Sequence, residues 1–122
     1  MIDYSKTAPT CETSILGTTY KIYIDVPENE DAFLSSCNGY CDKTVKRIVV
    51  VGERDENELD DWSEFRKGCL RHEIIHAYLY ESGLDSNTTW YTDEEEHPEM
   101  VVEWIALQFP KMLKTFKEVG AL

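Results

Sequence analysis

Hydrophobic and polar residues alternate in the first half of the chain and follow a helical spacing in the second half. In residues 18–26, TTYKIYIDV, apolar side chains take alternate positions from 20 to 26, interrupted only by Tyr23, which predicts a strand. The run 46–51, KRIVVV, is rich in β-branched residues, as expected of a buried strand. The Asn38-Gly39 pair between these two runs is a turn signal. The first half therefore predicts a small, mostly antiparallel sheet.

Apolar residues at three- and four-residue spacing predict helices in the second half. The first helical region covers 57–83, and Gly83 is the residue expected to end it. Gly68 leaves open whether this region forms one helix or two. A second helical region covers 98–118, where Pro98 suits a first helical position and Pro110 is expected to break or kink the helix.

These elements predict a single domain with an α+β fold. The chain has 122 residues, a length that supports one hydrophobic core and no separate substrate domain. Residues 1–17 form an N-terminal segment, 18–52 the sheet, 57–83 the first helical region and 98–118 the C-terminal helical region.

The charge balance narrows the function classes. Lys and Arg number 12 and Asp and Glu 24, which gives a net charge of -12 and argues against nucleic acid or an anionic membrane as a partner. A basic peptide or a bound cation suits such a field better. No apolar run approaches the ~20 residues of a membrane span, and residues 1–10 show no secretory signal. We therefore expect a cytoplasmic protein, and its oligomeric state stays open.

The chain contains four cysteines, Cys11, Cys37, Cys41 and Cys69. Their spacing matches no zinc-finger pattern, and a reducing cytosol favours free thiols. A Cys37–Cys41 disulfide or a small metal clip is the alternative.

The informative motif is HEIIH, which places His72 and His76 four residues apart with Glu73 beside the first histidine. Residues four apart share one face of a helix, so both imidazoles can reach one Zn²⁺ ion. Glu73 stands about 100° further round the helix, where a general base can take a proton from a metal-activated water. This is the physical content of the HExxH motif. The alternative is a helix without a metal site, in which the two histidines are solvated or packed in the core.

A catalytic zinc site needs a third protein ligand, and the stretch HPEMVVE supplies two candidates. Glu99 is the first choice, with Glu103 one turn later accepting the N–H of a ligating histidine. His97, at the mouth of the same helix, is the alternative third ligand. The longer HExxHxxGxxH pattern is excluded, because Leu79 and Ser82 occupy its glycine and third histidine positions.

The segments LRHEIIHAYLYESGL and EMVVE resemble the gluzincin group of the zincin metallopeptidases. The order of sheet, HExxH helix and second helix is similar to compact ImmA/IrrE-type and SprT-like metallopeptidases, including prophage and mobile-element proteins. The resemblance implies a minimal zincin-like fold, with zinc on His72, His76 and Glu99 and with Glu73 as the base. We therefore expect a zinc-dependent peptidase, a hydrolase acting on a peptide or protein. The alternative is an inactive, zinc-stabilised binding module.

Overall fold

The computed structural model confirms an α+β fold, in which a four-stranded sheet packs against two long helices. It describes residues 1–84 and 99–122, with backbone alone at 99–103 and at 106. The strands are β1 (Cys11–Ile15), β2 (Thr18–Val26), β3 (Gly39–Asp42) and β4 (Arg47–Val51), the helices are α1 (Trp62–Ser82) and α2 (Glu99–Glu118), and two short 3-10 turns lie at Glu28–Glu30 and Ala32–Ser35.

The sheet is mixed, with the strand order β1-β2-β4-β3. The β1–β2 and β3–β4 pairings are antiparallel, whereas the central β2–β4 pairing is parallel. Strand β1 lies inside the 1–17 segment, to which the sequence pattern assigned no element. Its sequence, CETSI, is mostly polar, and alternate positions Thr13 and Ile15 point into the core, so its strand signal is weak.

Apolar layers cover both faces of the central strands. Ile48 and Val50 of β4 belong to the core beneath the helices, while Val49 and Val51 belong to a second core on the opposite face. A strand buried on both faces shows a continuous apolar run, which explains KRIVVV. The second core also contains Tyr23, so the break in the β2 alternation marks a residue that packs on the far face.

Helix α1 is one continuous element that starts later than predicted. The Asp61 side chain accepts a hydrogen bond from the Glu64 N–H at 3.0 Å, which caps the first turn. The helix passes through Gly68 without interruption, so the region forms one helix rather than two. Gly83 ends it in the left-handed conformation, φ 80°, as predicted.

Helix α2 continues past Pro110 to Glu118, so the proline does not break it. Its C-terminal half is held by packing, because Met112 and Phe116 are buried in the core beneath the helices. In addition, Thr115 Oγ1 and Tyr78 OH of α1 form a buried hydrogen bond of 2.7 Å. Neither helix of the described part is both long enough and apolar enough to cross a lipid bilayer.

The C-terminal end of α1 is tied to the sheet through Glu81. Its carboxylate accepts hydrogen bonds from Thr18 Oγ1 at 3.0 Å, Tyr20 OH at 2.7 Å and Lys46 Nζ at 2.8 Å. The Lys46 ammonium in particular lowers the pKa of Glu81 below its usual range. This anchor fixes the direction of the helix that carries the HExxH motif.

Candidate metal centre

The HExxH residues lie in the middle of α1, on the side of the helix next to its packing face. Leu70, Ile74 and Ala77 are buried against the sheet, and this hydrophobic stripe fixes the rotation of the helix. His72 is exposed and His76 half-buried, whereas Glu73 is only 6% exposed. The histidines therefore face outward while Glu73 points toward the sheet.

The two histidines are positioned to share one metal ion. Their Nε2 atoms are 3.2 Å apart, and their ring planes are inclined at 68°. Two nitrogens at ~2.0–2.1 Å from one tetrahedral zinc stand about 3.3 Å apart. The observed separation thus fits zinc ligation, and it also suits a hydrogen bond between two neutral imidazoles.

Glu73 completes the group. Metal ions in proteins are bound by His, Cys, Asp and Glu side chains. Among the described residues, one group of three or more of these has its ligand atoms within 4.8 Å of one another, and it consists of His72, Glu73 and His76. Burial raises the pKa of the Glu73 carboxyl, and the His72 imidazole opposes part of that rise. A raised pKa makes the carboxylate a better proton acceptor.

Strand β3 lies directly against Glu73, and Gly39 makes this approach possible. A Cβ atom built at Gly39 would lie 2.8 Å from Val49 O and 3.4 Å from Glu73 Cγ. The first distance is shorter than real contacts allow, so the β3–β4 pairing and the nearby α1 leave room for glycine alone. The sequence identified Gly39 only as a turn residue, because its contact with Glu73 spans distant parts of the chain.

A cleft of about 520 Å³ opens beside the motif, between α1 and the segment that leads into β3. One wall is the α1 face, and the other is residues 37–39. Its lining includes Cys37, Phe65, Gly68 and Cys69, together with His72 and Glu73. Sequence reasoning did not find this cleft, since no motif joins the two walls.

Arg54 fixes the wall that faces α1. Its guanidinium donates to Leu34 O at 2.8 Å, Cys37 O at 2.9 Å and Asn38 Oδ1 at 2.7 Å, and it pairs with Glu28 at 2.8 Å. Four partners on one planar group hold the segment in a single position.

The remaining predicted ligands are placed only in part. Glu99 is the first residue of α2 and Glu103 lies one turn later on the same helix, but their side chains are outside the described part. His97 lies outside the described residues altogether. The identity of the third ligand therefore stays a prediction.

A tyrosine hydroxyl is a possible donor to an oxyanion, and the tyrosines near α1 differ in their surroundings. Tyr78 is buried and bonded to Thr115, and Tyr40 OH donates to Asp31 on the other side of the sheet. Tyr80, by contrast, stacks on His76 with ring centroids 6.1 Å apart. Tyr91 lies outside the described residues.

All four cysteines are free thiols and half-buried. The pKa values of Cys41 and Cys69 are raised, first by burial and then by the nearby Glu73 carboxylate, that of Cys41 to about 12. At neutral pH these two thiols are protonated and behave as small apolar side chains.

Comparison of the chain with family models, with curated proteins and with solved structures finds no match.

Proposed function

We propose that this protein is a cytoplasmic zinc-dependent peptidase. The observation that carries the proposal is the pair of Nε2 atoms of His72 and His76, 3.2 Å apart on α1, with the buried Glu73 carboxylate next to them. The spacing suits a tetrahedral zinc ion, and the acid next to the pair is the type of residue that activates water.

The chain's own residues would divide the reaction between them. Zinc, when bound, polarises a scissile carbonyl and makes water acidic enough to attack near neutral pH. Glu73 takes the proton of the attacking water and later delivers it to the leaving amine. Its burial against β3 restricts the positions open to the Glu73 side chain, and a restricted base favours general-base catalysis.

The sheet edge next to the site suits an extended peptide. Within the described residues β3 is an outer strand, paired only with β4, and it lies along the side of α1 that carries Glu73. An extended substrate could add to this edge through main-chain hydrogen bonds. The net charge of -12 favours basic substrates over acidic ones during encounter.

For the third ligand we propose Glu99, with Glu103 accepting a hydrogen bond from a ligating imidazole, and His97 as the alternative. The helical backbone of α2 begins at Glu99, so Glu99 and Glu103 occupy the four-residue spacing that this arrangement needs.

Metal analysis of untagged protein, combined with a peptide-cleavage assay, tests the proposal. We expect one zinc ion per chain and cleavage that a chelator abolishes and added zinc restores. Glu73→Gln should keep the zinc and lose about 10²–10⁴-fold in rate. Glu99→Ala should lose zinc, whereas His97→Ala should retain it.

Glu64→Gln is the matched control, because it makes the same change at an exposed position in the first turn of α1. It should match the wild type in zinc content and in rate. An unchanged rate in Glu73→Gln would overturn the mechanism. Zinc without any cleavage would overturn the peptidase and support the binding module, and the absence of zinc would overturn both.

A further inference from the structure

The cleft beside Glu73 is lined by Gly68, a glycine that the helical conformation of α1 does not require. Gly68 lies inside α1 (Trp62–Ser82), where glycine costs roughly 0.8–1.0 kcal/mol relative to alanine. A Cβ atom at Gly68 would meet a single neighbour, Arg71 Nη2, at 3.7 Å. Packing within the described chain therefore does not explain the glycine, unlike that at Gly39.

What distinguishes Gly68 is the space in front of it. It lines the cleft between Phe65 and Cys69 on the same side of the helix. Any side chain at this position would enter the cleft, so the glycine keeps the volume open. A volume of about 520 Å³ falls in the range of ~300–1,000 Å³ that is typical of small-ligand sites.

The lining indicates the chemistry of the occupant. Phe65, Cys37, Cys69 and two glycines form most of the surface, with Asn38 and His72 at its polar part, and Arg54 is already bonded to the outer wall. Among the described lining residues Glu73 is the one carboxylate, and it would repel an acidic group. An apolar group gains most from such a surface.

The dimensions indicate an extended chain rather than a compact ligand. From Phe65 to Glu73 the helix rises about 12 Å, a length that three or four extended residues span at ~3.3 Å each. The opposite wall runs directly into the outer strand β3, which offers the matching backbone edge.

We infer that this cleft binds an apolar side chain of an extended peptide, and that Gly68 sets the largest side chain it accepts. The inference names the substrate class of the proposed peptidase and rests on that function for its biological meaning. Binding in the cleft, however, requires neither zinc nor cleavage and is measured separately.

The test uses zinc-free, ¹⁵N-labelled protein titrated with three probes: the N-acetyl N-methylamides of leucine, glycine and lysine. We expect the leucine probe to shift the amide signals of Gly39 and Gly68 and to bind on the order of 10-fold or more tightly than the glycine probe. Gly68→Leu should abolish this binding, while Gly68→Ala should reduce it only slightly. Equal binding of leucine and glycine probes, or tightest binding of lysine, would overturn the inference.

A second variant, Phe65→Ala, tests the inference even if Gly68→Leu does not fold. Phe65→Ala removes an apolar wall without adding bulk, so it should weaken leucine binding while the glycine probe is unaffected. Unchanged leucine binding in Phe65→Ala would count against the inference.

In the cleavage assay, wild type should favour leucine next to the cut bond and Gly68→Leu should favour glycine or alanine. Leucine binding without cleavage would refute the peptidase alone, and cleavage without leucine binding would refute this inference alone.

Discussion

The two glycines that border the candidate site should respond in opposite directions to the same substitution. At Gly39 an added methyl group lies 2.8 Å from Val49 O, a backbone atom that moves only if β3 separates from β4. Forcing a methyl group into such a position costs about 1–3 kcal/mol. At Gly68 the methyl group has a single contact, at 3.7 Å, and alanine is favoured over glycine in a helix by roughly 0.5–1 kcal/mol.

Gly39→Ala should therefore be destabilised and Gly68→Ala stabilised, with the free energies of unfolding of the two variants differing by about 1.5–4 kcal/mol. For a domain of this size, 1 kcal/mol corresponds to roughly 3–6 °C in Tm. The difference is well above the error of a denaturation curve.

Urea denaturation followed by circular dichroism is the appropriate assay, with a chelator present so that metal binding does not add to the stability of one variant. Wild type and both variants should unfold with the same m-value. A Gly39→Ala protein as stable as wild type would refute the close approach of Gly39 to the Val49 carbonyl of β4. A destabilised Gly68→Ala protein would show that the glycine has a packing role, which removes the argument for an open cleft.

Two further substitutions test the contacts that hold the site in place. Glu81→Gln should lose about 1–2 kcal/mol at pH 7. The folded-state pKa of Glu81 is lowered, first by Lys46, so this carboxylate stabilises the fold above its unfolded pKa of ~4.3, and the contribution disappears as pH falls through the lower folded value. Unfolding measured at pH 7 and pH 3 should therefore show a smaller loss of stability in Glu81→Gln at pH 3. An equal loss at both pH values would contradict the role given to Glu81. Arg54→Met should lower the free energy of unfolding by about 2–4 kcal/mol, because it leaves the carbonyls of Leu34 and Cys37 without their donor. An unchanged urea midpoint would show that the cleft wall is held by other contacts.

The local sequence pattern was sufficient to predict features that depend on residues close together along the chain. The helical phase of α1, its end at Gly83 and the shared face of His72 and His76 follow from the 3.6-residue repeat. The same local signals did not decide the outcome where distant contacts compensate. Gly68 and Pro110 resemble helix breaks in the sequence, yet both helices continue through them, because side chains that follow them, such as Ile74 and Phe116, are buried in the core.

The sequence by itself determined an acidic α+β domain and the spacing of its histidine pair, since composition and helical periodicity are properties of neighbouring residues. Only the tertiary structure decided that β2 and β4 are parallel, that Gly39 stands against Glu73 and that a cleft opens in front of Gly68. Each of these joins residues far apart along the chain. Their energies come from packing and from hydrogen bonds that exist only after the chain has folded.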